Sequence, residues 1–287
     1  MHPDAVHAQK ESVHVASGRA SAADAFSGDP GHAALASFAA GGVQATLLLP
    51  LNTLQTHMQH HGRPIAATMH TIFAQGGLSG LRLLYRAWIP TIGMLGARQA
   101  LKFGSGAVIK SRTPVWWPEL VRDAMSGGMS AAFSTTLLFP LDTLKTRWQL
   151  GQPTPSLRQV YSGYTPAVLY SALGMSLWVC SRNALERAIP DHPPGTAAQH
   201  WKHFACGAIA GVCVQVPTYP LDTLKKRMQA SDGPARAVLD EAGALLRSGG
   251  LVRLYNGFGV KVAFVAINSA IFNSVYVQCR RLLHMHQ

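Results

Sequence analysis

The residues best suited by type and spacing to do chemistry are two pairs of opposite charge, Asp142 with Lys145 and Asp222 with Lys225, each just behind a proline. They belong to a ten-residue word, PLDTLKTRWQ at 140–149, which returns as PLDTLKKRMQ at 220–229 with eight of ten residues identical. A weaker copy, PLNTLQTHMQ at 50–59, carries Asn52 and Gln55 where the others carry acid and base. Acid and base three residues apart share one helix face. Such pairs suit reversible ion pairing between neighbouring helices rather than bond-making. No Ser/His/Asp set, paired carboxylates or phosphate-cradling glycine loop accompanies them, so an enzyme is not expected. His57, His60 and His61 lie together without an acid or Cys nearby and read as a solvated helix end, not as metal ligands; the same holds for His192, His200 and His203. Cys180, Cys206, Cys213 and Cys279 fall in apolar stretches with no CxxC pair, the pattern of buried thiols. Neither a metal nor another cofactor is expected.

The elements that hold these words repeat with them. The prolines Pro50, Pro140 and Pro220 are 90 and 80 residues apart, and each follows an apolar run rich in Gly and Ala, at 33–49, 124–139 and 204–219. Self-similarity at that period marks three copies of one unit. A proline removes a helix donor, so each is expected to kink or interrupt its helix. A second apolar run follows in each unit, at 88–109, 164–180 and 258–279, opened by Tyr85-Arg86-Ala87, Tyr161-Ser162-Gly163 and Tyr255-Asn256-Gly257. From proline to tyrosine is 35 residues in units one and three but 21 in unit two. The longer connections, around 64–75 and 234–247, each have room for a short amphipathic helix; the shorter one, with Gln152-Pro153-Thr154-Pro155, does not. The resulting organisation is a polar tail over 1–30 and three repeats over 31–112, 113–190 and 191–287.

Composition places the chain in a membrane. Of 287 residues 48% are hydrophobic and 13% charged, against about 25% charged in soluble proteins. The apolar runs are interrupted by Gly, Ser and Thr, as in a bundle around a polar interior. The net charge of +12 suits anionic lipid or anionic solutes. The basic residues are scattered between the apolar runs rather than gathered in a stripe with aromatics, which argues against nucleic acid. Arg98 and Lys102, four apart in one apolar run, and Lys261 in another are costly in a membrane and so are candidate functional groups.

Three repeats of two membrane helices, with Pro-x-Asp-x-x-Lys ending the first and an aromatic word opening the second, resemble the mitochondrial carrier family over residues 32–283. The resemblance implies an all-α membrane protein, six transmembrane helices in a threefold pseudosymmetric barrel, in the mitochondrial inner membrane, with bound cardiolipin. It implies a matrix gate made by Asn52, Gln55, Asp142, Lys145, Asp222 and Lys225. Only units two and three can supply a full ion pair there; the other two contacts become hydrogen bonds between a neutral and a charged group. The resemblance also implies an outer gate, where this chain departs from the pattern. The residues concerned are Lys110, Asn183, Glu186, Tyr276 and Arg280, the expected acids are replaced by Ala107, Asn183 and Val277, and Glu186 stands where a base belongs. The implied solute positions are Met94, Tyr170 with Ser171, and Phe264, none charged, with Arg98, Lys102 and Lys261 close by in the chain. These departures favour a carrier fold repurposed as a structural subunit of a larger inner-membrane assembly such as a respiratory complex. The alternative is an exchanger of a small di- or tricarboxylate by alternating access.

Overall fold

The computed structural model describes residues 30–74, 76–190, 193, 196–231 and 237–268. Six long helical segments and four shorter ones follow in order: α1 (Pro30–His61), α2 (Ile65–Phe73), α3 (Gly77–Leu84), α4 (Trp88–Arg112), α5 (Glu119–Gln149), α6 (Leu157–Val160), α7 (Tyr164–Ala188), α8 (Ala197–Gln229), α9 (Val238–Leu254) and α10, described over Phe258–Asn268. The described residues contain no strand. Most of the tail over 1–30 and the second half of the last apolar run lie outside the described residues.

Of the two expected effects of the prolines, a kink or an interruption, interruption does not occur. Pro50, Pro140 and Pro220 lie inside α1, α5 and α8, which continue through the repeated word to Gln149 and Gln229 in the second and third copies. In units two and three the residue before the proline anchors the turn that opens the next long helix. Phe139 stacks on Tyr161 and meets Tyr164 edge-on at 5.4 Å, and Tyr219 repeats this with Tyr255 and Phe258 at 5.3 Å. The threonine three after each proline then ties the word to the end of the connecting segment. Thr53 donates to the Leu84 carbonyl, Thr143 to Val160 and Thr223 to Leu254, at 3.0, 2.8 and 2.8 Å. Unit one spends its connection on two short helices rather than one, broken at Gly76, whose φ is 107°. Unit two does hold one, but it is the single turn α6, closed by a Ser156–Gln159 capping box.

The long helices are antiparallel neighbours in chain order, and the last returns to the first. A Cβ on Gly41 of α1 would lie 3.1 Å from the Gly96 backbone of α4. Lys110 and Asp123 link α4 to α5 at 2.7 Å. Thr135 donates to Ser171, and Ser176 to the Ala124 carbonyl, between α5 and α7. Trp178 donates to the Gly207 carbonyl between α7 and α8. A Cβ on Gly211 of α8 would meet Val265 of α10, and Gln44 of α1 closes the ring by donating to the Asn268 carbonyl at 3.3 Å.

The barrel is polar inside and apolar outside. On α5, Met125, Met129, Phe133, Leu137 and Leu141, each four apart, are exposed, whereas Ser126, Ser130, Ser134 and Asp142 are buried. Water would select the reverse, and lipid selects this. The same inversion explains why, among the described residues, only α8 over Trp201–Gln229 is apolar enough by composition to stand as a membrane span alone, with α9 and α10 forming a second candidate bent by 50°. Of the expected buried thiols, Cys206 is buried, Cys180 half-buried and Cys213 exposed on the outer wall of α8; Cys279 lies outside the described residues.

One close approach depends on glycine. Gly163 opens α7 at φ 80°, and a Cβ there would lie 2.9 Å from the Lys225 carbonyl of α8. Gly163→Ala should therefore cost about 1–3 kcal/mol and lower the thermal unfolding midpoint in detergent. Gly174→Ala, within α7 where nothing approaches within 4 Å, should leave the midpoint unchanged or raise it.

Candidate functional site

The charged residues of the repeated words converge at one end of the barrel, where α1, α5 and α8 cross. Asp142 of α5, 4% exposed, forms an ion pair with Lys225 of α8 and a second with Arg98 of α4 at 3.4 Å. Asp222 of α8 accepts from Gln55 of α1 at 3.1 Å and is flanked by Lys226 at 3.5 Å and Lys261 of α10 at 3.6 Å. Two of the three contacts between units expected from the repeats are therefore formed, Asp142–Lys225 and Asp222–Gln55. The third, Asn52 with Lys145, is not: the Asn52 side chain and the Lys145 ammonium make no hydrogen bond or ion pair among the described residues. A neutral amide offers no net charge to draw in an ammonium, and the carboxylate that does act on Lys145, Asp142, is already paired with Lys225 and Arg98.

Beneath this charged layer lies a hydrogen-bonded layer that was written in the words but not singled out from them. The glutamine nine after each proline reaches the acid and threonine of the neighbouring unit. Gln229 donates to Asp142 and Thr143 at 3.4 and 3.2 Å, and Gln59 to Asp222 and Thr223 at 3.3 and 3.2 Å. Gln149, facing Asn52's unit, keeps only the threonine, donating to Thr53 at 3.3 Å. The threonine six after proline returns the bond: Thr146 donates to Gln229 Oε1 and Thr56 to Gln149 Oε1. In unit three that place is Lys226, drawn to Asp222 instead, and Gln59 Oε1 is left buried without a partner.

A third layer closes the helix ends. The residue seven after each proline reaches the carbonyls at the end of the proline-bearing helix of the neighbouring unit. Arg147 donates to the Gln229 and Ser231 carbonyls at 3.5 and 3.2 Å, Arg227 to the His60 carbonyl at 3.2 Å, and His57 Nε2 to the Gln149 carbonyl at 3.0 Å. His57 thus fills an arginine's place and is buried, which corrects the expectation of a solvated histidine cluster; His61 alone of the three is exposed. Its neighbours form no metal-ligand group among the described residues. The second words complete the closure: Ser162 donates to the Met228 carbonyl and Asn256 to the Met58 carbonyl, at 2.8 and 3.1 Å.

Next to the charged layer stand the residues expected to meet a solute. The Lys261 ammonium lies 5.6 Å from the ring centres of both Tyr170 and Phe264, and the Tyr170 hydroxyl donates to Gln215 at 3.3 Å. Met94 is buried, its sulfur 3.9 Å from Arg98 Nη2. Arg98 keeps a buried Nε without a partner. Lys102 is half-buried and makes no ion pair or hydrogen bond among the described residues. Ser171 belongs to the α5–α7 seam, where its hydroxyl accepts from Thr135 at 2.7 Å.

At the opposite end, each described charged residue of the altered words is held within one helix or between two consecutive ones. Lys110 binds Asp123, and Glu186 binds Arg182 at 2.8 Å and His203 at 3.3 Å. Asp123 was not foreseen, because it lies outside the repeated words, and His203, expected on a solvated helix end, is instead half-buried against Glu186 and Gln199. Tyr276 and Arg280 lie outside the described residues.

Comparison with known proteins agrees over most of the length. Residues 27–113, 117–165 and 196–287 match the sequence profile described as mitochondrial carrier protein. The chain is 27% identical to the mitochondrial thiamine pyrophosphate carrier of Bos taurus over 88% of this chain and 93% of the relative. It is 26% identical to the mitochondrial arginine transporter BAC2 of Arabidopsis thaliana over 82% and 86%, and 27% identical to the mitochondrial glycine transporter of Aspergillus clavatus over 55% and 58%.

The glutamine layer makes an internal comparison possible. Gln229→Leu strips buried partners from Asp142, Thr143 and Thr146 and should cost about 1–3 kcal/mol. Gln59→Leu should cost less, since Gln59 Oε1 is already unpaired. Thermal unfolding of the two variants in the same detergent checks the order.

Proposed function

Since the chain belongs to the mitochondrial carrier family, multi-pass proteins of the mitochondrial inner membrane, we propose that it is a working carrier of a small anion by alternating access. The observation that carries this reading is the charge at the barrel's centre. Among the described residues, Arg98, Lys102, Lys145, Lys225, Lys226 and Lys261 stand there against only Asp142 and Asp222. An excess of cations in a low-dielectric interior is stabilised when a mobile anion enters, and a carboxylate or phosphate leaves water only when such cations receive it.

In this reading Asp142, Lys225, Asp222 and Gln55 close the matrix side, with the glutamines beneath them, and Tyr170, Phe264 and Lys261 form part of the solute site. Arg98 and Lys261 each touch a gate acid and also border that site, so gate and solute site share their cations. Bound cardiolipin at the membrane-facing helix starts is part of the same proposal. The relatives are named for different cargoes, so the chain's own charge is what argues for an anion. A fixed structural subunit, the role the altered outer words favour, finds no support among relatives named as carriers and transporters. Nor does a scaffold require an ion-paired layer bridging helices that are far apart in sequence.

Uptake into proteoliposomes tests this. Wild-type protein loaded with malate or citrate should exchange it for external labelled di- or tricarboxylate or phosphate. Arg98→Ala and Lys261→Ala should each slow exchange about tenfold or more, the cost of one charge-assisted contact of at least 1.4 kcal/mol. A wild-type chain that exchanges none of these anions sinks the reading.

A further inference from the structure

The three words differ at one place that leaves a charge stranded. Asp142 meets Lys225, and Asp222 meets Gln55, so by the same register the acid place of unit one should meet Lys145. That place is Asn52, and its side chain makes no bond among the described residues. Lys145 is 6% exposed and has no ion pair or hydrogen bond there. Arg98 brings a buried Nε, also unpartnered, toward the same acid, Asp142. Three cations, Arg98, Lys145 and Lys225, thus share one carboxylate, which is paired with the other two, and an ammonium so buried is costly without a counter-charge of its own.

We propose that an oxyanion group binds between Lys145 and Arg98 and supplies the negative charge that Asn52 lacks. The ligand is a carboxylate or phosphate group, and the guanidinium edge and the ammonium are its natural donors. The group belongs to the transported solute, so that the cargo itself completes the charged layer; this deepens the carrier reading and rests on it. A carrier built this way closes its charged layer fully only when loaded. Free inorganic phosphate offers the same chemistry and is the other source of the group.

Asn52→Asp and Lys145→Gln separate these cases. The purified full-length chain in detergent is titrated with inorganic phosphate, malonate and citrate, with chloride at equal ionic strength as control. The thermal midpoint of the wild type should rise by about 3 °C or more at saturating oxyanion. Asn52→Asp should raise the midpoint without ligand and lose the oxyanion response, because a fixed carboxylate fills the place; Lys145→Gln should lose the response without that rise. A wild type that answers oxyanions no better than chloride overturns the proposal, as does either variant keeping the full response.

Exchange in proteoliposomes tells the two ideas apart. If wild type and Asn52→Asp exchange a dicarboxylate equally, the carrier reading stands and this site falls. If no anion is exchanged but the Lys145-dependent shift persists, the site stands with phosphate as its occupant and the carrier reading falls.

Discussion

The structure depends on burying charge at the centre of a membrane barrel without leaving it unanswered. Removing one partner of a buried ion pair costs several kcal/mol, because the other is left as an uncompensated charge. Asp142 meets that constraint by holding Lys225 and Arg98 together, and Asp222 by gathering Gln55, Gln59, Lys226 and Lys261. These contacts join α1, α4, α5, α8 and α10, so five of the six long helices are referred to two carboxylates. The outer wall needs no such specificity, and exposed Leu, Met and Phe on α5 can be exchanged for other apolar residues at small cost.

Pseudosymmetry gives each departure a local consequence. Where Asp becomes Asn52, Gln149 loses one acceptor and Lys145 its counter-charge. The threonine that becomes Lys226 leaves Gln59 Oε1 orphaned while Asp222 gains a cation. His57, in an arginine's place, keeps the helix-end bond through one nitrogen in place of a forked guanidinium. And where a glycine of the second word becomes Ala87, the backbone takes φ −103° instead of the left-handed turn seen at Gly163 and Gly257. The losses concentrate on unit one and its contacts, so the layer is closed firmly between units two and three and weakly elsewhere.

The opposite end follows a different logic. Lys110 with Asp123, and Glu186 with Arg182 and His203, satisfy charge between consecutive helices rather than across the barrel. Their charges are occupied locally while the other end is bridged.

Sequence alone determined the repeat, the class of fold and the side of the barrel where charge would gather. A ten-residue word at near-constant spacing sets the register of three helices. It also placed Asp142 and Lys225 as the complete pair and showed that Asn52 and Gln55 could not form one. The tertiary structure decided which neutral residue still bonds: Gln55 reaches Asp222, and Asn52 leaves Lys145 alone. It alone turned His57 inward, set Ser171 into the α5–α7 seam and brought Arg98 against Asp142. Spacing along a helix reports which face a residue shares. Which helix lies opposite, and which of several cations reaches a given carboxylate first, follow from how the barrel closes on itself, and no local pattern encodes that.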